Sequence, residues 1–115
     1  MNIDVSGRNP YSVPDTLKGY ALEKMHKIDK FNLKIESAHL VFSDEKLNKT
    51  VEIVLAGKNL RLTASETDRV MQSAFDIALS NMENQLRKFH DKIKDHRNDK
   101  IKIVDESNED EFEED

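Results

Sequence analysis

The chain has no cysteine, only three glycines and few aromatic residues, and each shortage excludes a class of protein. Without cysteine there is no disulfide framework, thiolate metal cluster or cysteine nucleophile, which suits a reducing cytoplasm. Three glycines leave no glycine-rich loop to cradle a phosphate. No apolar run reaches the ~18 residues of a membrane span, and MNIDVSGRNP lacks a signal-peptide pattern. We therefore expect a cytoplasmic protein.

Sequence patterns of catalysis are also missing. The four histidines are scattered without metal-site spacing, and no Ser or Thr stands in a nucleophile elbow. The many carboxylates have neighbouring lysines as ion-pair partners. We expect a protein that is not an enzyme and that holds neither a metal nor a cofactor.

Charge is abundant instead, and it is unevenly distributed along the 115 residues, a length that fits one domain with a single small core. All 18 Lys and Arg precede residue 105, whereas 8 of the 23 Asp and Glu lie in DESNEDEFEED at 105–115. The formal net charge of −5 thus averages a tail of −8 and a remainder with 18 basic and 15 acidic residues, or +3. This asymmetry predicts a basic binding domain over 1–97 and an acidic, disordered tail over 98–115. An ordinary mixed-charge surface with a solubilising tail is the alternative.

The spacing of apolar residues predicts the order of the elements. NIDVSG alternates as a strand does, and apolar residues three and four apart predict a helix over about 15–31. The β-rich segment IESAHLVFSD follows, and two alternating runs around GKN predict a hairpin. SETD at 65–68 matches a capping box and predicts the start of a second helix that ends near Arg97.

These elements predict an α+β fold of order β-α-β-β-β-α. Two amphipathic helices would cover one face of a four-stranded sheet and so bury both apolar stripes. The first crossover allows parallel pairing of its two strands, whereas the later hairpins must be antiparallel.

Basic residues recur on the outer side of the second predicted helix. On a helical wheel, Arg69, Arg87 and Lys94 lie within about 20° of one another, roughly opposite the apolar stripe. Basic residues near a helix C-terminus also complement the helix dipole, which gives a purely structural alternative for some of them.

The first predicted helix carries a basic stripe of its own, Lys24, Lys27 and Lys30, with Lys34 beyond its end. A solvated face with an ion pair from Glu23 to Lys27 is the alternative. If the helices pack side by side, the two stripes line a groove or ridge that RNA phosphates would neutralise. The predicted RNA-binding set is Lys24, Lys27, Lys30, Arg69, Arg87, Lys88, Lys92, Lys94 and Arg97.

Aromatic residues give little support for base stacking. Tyr20, Phe31, Phe75 and Phe89 lie on the apolar stripes, where a place in the core is expected. This distribution favours shape and phosphate readout of folded RNA over stacking on single strands.

Four segments, in this order and spacing over about residues 1–97, resemble a known family. They are NIDVSGRN, LEKMHKIDKF, LTASETD and NMENQLRKFHDKIKDH. Together they resemble the ribosome hibernation-promoting factor and ribosome-associated inhibitor family, also called sigma-54 modulation proteins. The closest parts are the Lys24 and Lys27 pair and the QLRK pattern from Gln85.

The resemblance implies a fold similar to the double-stranded RNA-binding domain with an added strand. It also implies binding to the rRNA of the small ribosomal subunit at the decoding region, which blocks the mRNA and tRNA sites and inhibits translation in stress or stationary phase. The implied contacts are Lys24, Lys27, Arg87, Lys88, Lys92 and Lys94. Where the family reads Asp-Met-Tyr this chain has Asp68, Arg69, Val70 and Met71, so Arg69 would add a contact of its own.

Two other functions fit the same charges. One is a protein-binding regulator, for example of a sigma factor, and the other is a generic double-stranded RNA binder. From the resemblance we expect the small ribosomal subunit and its rRNA as partner, neither a membrane nor a small-molecule substrate, and a monomer away from the ribosome.

Overall fold

The computed structural model describes residues 1–31 and 33–95. Its elements are β1 (Asn2–Gly7), α1 (Asp15–Lys24), a 3₁₀ helix (Met25–Phe31), β2 (Ile35–Glu45), β3 (Asn48–Gly57), β4 (Leu60–Asp68) and α2 (Met71–Asp95). The predicted α+β order is confirmed. Arg97 and the tail predicted at 98–115 lie outside the described residues. Across residues 1–31 and 33–95, no helix is long and apolar enough to cross a membrane.

The four strands form one mixed sheet in the order β1-β2-β3-β4. β1 pairs with β2 in parallel, with Val5 opposite Leu40, and α1 and the 3₁₀ helix form the crossover between them. The other two pairs are antiparallel, and each is closed by a two-residue turn, 46–47 and 58–59. Lys46 and Asn59 have φ values of 62° and 64°, the left-handed conformation that such tight turns require.

The helices cover one face of the sheet, and the strands alternate accordingly. On β3, Val51, Ile53 and Leu55 are fully buried, whereas Glu52 and Val54 between them are half-buried on the other face. The apolar stripe of α2 packs on this buried face, and this packing shields Leu86 and the other core residues of the helix from solvent.

Phe75 of α2 lies at the centre of the core. Its ring stacks on that of Phe42 in β2 with centroids 6.2 Å apart, and meets the ring of Tyr20 in α1 edge-on at 6.0 Å. The sheet and both helices therefore contact one another through a single aromatic side chain. Of the aromatic residues predicted to be core, Phe31 and Phe75 are buried and Tyr20 and Phe89 are half-buried.

The predicted capping box at 65–68 is wrong. These residues are the last four of β4, where Ser65 lies opposite Glu52 and Asp68 opposite Lys49, and α2 begins only at Met71. Asp68 still has a local role, since its Oδ2 accepts a hydrogen bond of 3.1 Å from the Val70 backbone amide. The carboxylate thus stabilises the turn between β4 and α2, and the strand continues because β3 supplies its backbone partners.

The first predicted helix also differs from the structure. Its α-helical part ends at Lys24, and the chain continues as a 3₁₀ helix to Phe31. In a 3₁₀ helix residues three apart are aligned, because there are three residues per turn. Met25, Ile28 and Phe31 are three apart and all buried. The tighter winding therefore keeps this stretch's apolar side chains on the core.

Candidate nucleic-acid interface

α1 and the 3₁₀ helix that continues it lie beside α2 and run in the same direction. The Tyr20 hydroxyl donates a hydrogen bond of 2.7 Å to Asp76 Oδ1. Further along both helices, Lys30 Nζ lies 3.4 Å from Glu83 Oε2. The contacts advance together along the two helices, which is the arrangement of parallel neighbours. We call the line of contact between them the seam.

The ring of Phe31 lies in the seam close to two cations. Lys30 Nζ is 5.3 Å from the ring centroid, and the guanidinium carbon of Arg87 is 6.0 Å from it. Cations within about 6 Å of a ring are attracted by its quadrupole. Because Lys30 belongs to the 3₁₀ helix and Arg87 to α2, this contact brings together the two basic stripes that the sequence predicts.

Lys27 and Lys30 lie one turn apart in the 3₁₀ helix, and Lys24 is the last residue of α1, directly before it. A helical wheel with α geometry fans them out by about 60° per step, whereas residues three apart align in a 3₁₀ helix at a spacing of about 6 Å. Lys24 Nζ lies 5.5 Å from the centroid of the Tyr20 ring. Lys27 is exposed, and within the described part of the chain it makes no ion pair with Glu23 or any other residue.

Two cations of α2 complete this surface. Arg87 and Lys88 are both exposed, and Arg87 Nη1 donates a hydrogen bond of 2.8 Å to Asn84 Oδ1, which restrains the guanidinium. Together with Asn84 and Asp91, both cations line a shallow depression in the surface. We call the group Lys24, Lys27, Lys30, Arg87 and Lys88 the seam surface.

The other predicted residues have different positions. Lys92 and Lys94 follow on the last turns of α2, whereas Arg97 lies outside the described residues. Arg69 does not join the seam surface, because α2 starts after it, at Met71, and the wheel alignment with Arg87 does not apply. At 1.5 Å per residue, Met71 and Arg87 are about 24 Å apart along the helix. Arg69 therefore lies near the opposite end of α2.

Two carboxylates lie in the seam, and both are engaged. Glu83, whose side chain is 16% exposed, faces Lys30, whose side chain is 58% exposed. Asp76 accepts the Tyr20 hydroxyl, and this hydrogen bond is the main reason that the pKa of Tyr20 is raised above its usual 10.0. The sequence-based prediction did not include Glu83. Its place four residues before Arg87 on α2 was the available signal that it lies near a predicted contact.

Comparisons with known proteins agree with this fold. Residues 3–94 match the family described as Sigma 54 modulation protein / S30EA ribosomal protein. The chain is 26% identical over 92 residues to a ribosome hibernation promoting factor of Azotobacter vinelandii, a match that covers 80% of this chain and 85% of that protein.

Two solved structures have the same fold. A ribosomal subunit interface protein from Coxiella burnetii gives a TM-score of 0.72 at 24% identity, covering 77% of this chain and 97% of the other. The N-terminal domain of Thermus thermophilus Protein Y gives 0.69 at 26% identity, covering 77% and 99%. The predicted resemblance is confirmed, and the chain belongs to the Sigma 54 modulation protein / S30EA ribosomal protein family.

Proposed function

We propose that this chain is a ribosome hibernation factor of the cytoplasm, a binding protein and not an enzyme. It binds rRNA phosphates in the decoding region of the small subunit, blocks the mRNA and tRNA sites and so inhibits translation during stress or stationary phase. The family match and the names of the relatives support this function. The observation that carries it in this chain is the contact of Lys30 and Arg87 with one ring, because it unites two basic helices into one surface.

The seam surface suits phosphate better than bases. Its five cations come from α1, the 3₁₀ helix and α2, and Lys27 and Lys30 are separated by one 3₁₀ turn, a rise of about 6 Å. The aromatic rings nearby are not free to stack on bases, since Phe31 is 8% exposed and Tyr20 packs against Phe75. Neutralising phosphates with lysine and arginine releases counterions, so the affinity should fall steeply with salt.

The first test is cosedimentation of the purified protein with ribosomes through sucrose at low and high salt. We expect the protein in the small-subunit and whole-ribosome fractions at low salt and its loss at high salt. Its absence from those fractions at low salt would contradict the proposal.

A matched pair of variants locates the contact. Charge reversal in the seam surface, Lys27→Glu with Arg87→Glu, should abolish cosedimentation. The control is Arg8→Glu with Lys18→Glu, which makes the same change in net charge at two exposed positions outside the seam surface. Equal binding by both variants would show that the ribosome does not use the seam surface.

Competition by added RNA distinguishes binding at the decoding region from the two alternative functions. Added tRNA or mRNA should displace the protein from small subunits if it occupies the decoding region. Displacement by free duplex RNA at equal concentration would instead indicate a generic double-stranded RNA binder, and binding to neither RNA nor ribosomes would favour a protein partner.

A further inference from the structure

A second group of cations lies at one end of the sheet. Lys34 follows the 3₁₀ helix, and Lys58 and Arg61 lie in and just after the turn between β3 and β4. We call Lys34, Lys58 and Arg61 the hairpin patch. All three are exposed, and none of their side chains makes an ion pair or hydrogen bond with the residues that the structure describes.

The fold holds the members of the hairpin patch close together. Ile35, the first residue of β2, and Gly57, the last residue of β3, are cross-strand partners. Lys34 and Lys58 are the next residues beyond that pair. A Cβ built on Gly57 would collide with the carbonyl oxygen of Lys34, so the two backbones are in direct contact. The turn between Gly57 and Leu60 has only two residues, which fixes Lys58 and Arg61 relative to Lys34.

The hairpin patch lies at the same end of the molecule as the basic half of the seam. Gln85 Nε2 donates a hydrogen bond of 2.8 Å to the carbonyl oxygen of Thr63. Asn81, one turn earlier on α2, donates to Glu66 three residues later on β4. α2 is therefore antiparallel to β4, and beyond Gln85 it runs towards the β3–β4 turn. The 3₁₀ helix ends at this end too, because Phe31 contacts Arg87.

We propose that the hairpin patch is a second phosphate-binding surface, which continues the seam surface around the end of the sheet and binds rRNA with it. This inference rests on the proposed function. Lys30 must leave or share Glu83 to bind a phosphate, whereas the three cations of the hairpin patch have no such partner among the described residues. Their charge is therefore fully available, and each contact should release counterions.

The proposal is tested by binding of purified Escherichia coli small ribosomal subunits over a series of KCl concentrations. The variant neutralises the hairpin patch with Lys34→Gln, Lys58→Gln and Arg61→Gln. Its matched control is Arg8→Gln, Lys18→Gln and Lys46→Gln, which removes the same charge at exposed positions elsewhere on the molecule. Thermal melts followed by circular dichroism verify that both variants are folded.

We expect the hairpin-patch variant to bind at least ~10-fold more weakly than the control at moderate salt. Its plot of log K against log[KCl] should be shallower by about 2–3, since each of three phosphate contacts contributes about 0.7–0.9. Equal affinity and slope for the two variants would overturn the proposal. Weaker binding with an unchanged slope would also overturn it, because the patch would then contact a ribosomal protein.

The outcomes also separate this inference from the proposed function. If the wild type binds and only the seam-surface variant fails to bind, the hibernation function stands and the hairpin patch has no part in it. If the wild type itself does not bind small subunits, the proposed function fails first.

Discussion

Tyr20 and Asp76, 56 positions apart in the sequence, are joined by a hydrogen bond of 2.7 Å from the phenol to the carboxylate. The Tyr20 ring also meets Phe75 edge-on, and Lys24 Nζ lies 5.5 Å from its centroid. One side chain of α1 thus contacts α2 through its hydroxyl and the core through its ring, and a cation of the seam surface lies close to that ring.

Asp76→Asn should lower the pKa of the Tyr20 phenol towards 10.0, because the hydrogen bond to the carboxylate is the main cause of the raised pKa. In the wild type the raised pKa stabilises the folded state below pH 10.0, and this contribution is lost as the pH rises through the folded-state pKa. Titration of tyrosinate absorbance measures the shift. Tyr20→Phe isolates the signal of Tyr11, the only other tyrosine, and identical titrations of wild type and Asp76→Asn would contradict the assignment.

Gly57→Ala should destabilise the protein by about 1–3 kcal/mol, because the new methyl group has no space beside the Lys34 carbonyl. Chemical denaturation measures the loss as a lower midpoint at constant slope. A variant as stable as the wild type would show that the turn and the loop before β2 separate easily.

Gly19→Ala is the matched control for this prediction. Gly19 lies inside α1, and apart from its chain neighbours and the backbone of its own helix no described atom lies within 4 Å of a Cβ built there. We expect a gain of about 0.5–1 kcal/mol, since alanine restricts the unfolded chain and favours the helix. The same substitution should therefore have opposite signs at the two glycines.

Glu83→Gln should tighten binding to small subunits about 2–5-fold at low salt. The carboxylate lies 3.4 Å from Lys30 Nζ, and an ion pair whose cation is exposed is worth about 0.2–1 kcal/mol. Removing it frees Lys30 for phosphate, and the gain should fade as salt screens the pair. Glu45→Gln, at an exposed residue that ends β2, is the control. Weaker binding by Glu83→Gln would instead mean that Glu83 positions Lys30 for its contact.

Hydrophobic periodicity that extends over many residues predicts the helices and strands well. The apolar stripe of α2 repeats over seven turns, and GKN separates two alternating runs, so both the helix and the hairpin follow from hydrophobic period alone. The parallel pairing of β1 and β2 follows from the crossover helix between them. The two basic stripes meet because both helices must bury their apolar faces on the same side of one sheet.

Short local sequence signals predict the structure poorly where tertiary contacts favour a different conformation. SETD has the composition of a capping box, but the β3 backbone extends alongside it and pairs with it as a strand. The spacing of three from Met25 to Phe31 fits both an α-helix and a 3₁₀ helix over so short a stretch, and packing on the core selects the second. The neighbours of Lys34 and Lys58 depend on strand register, which no helical wheel contains.

The topology also bears on the order of folding. β2, β3 and β4 are joined by two-residue turns, whereas β1 pairs with residues 35 positions away, so loop closure favours the hairpins first and β1 with α1 last. We expect Gly57→Ala mainly to slow folding and Ala21→Gly in α1 mainly to speed unfolding, as stopped-flow kinetics would measure. The opposite pattern would show that α1 docks early. The seam surface needs α1, the 3₁₀ helix and α2 together. A chain that has not yet packed α2 onto the sheet therefore has the lysines of the first two helices without the Arg87 guanidinium beside the Phe31 ring.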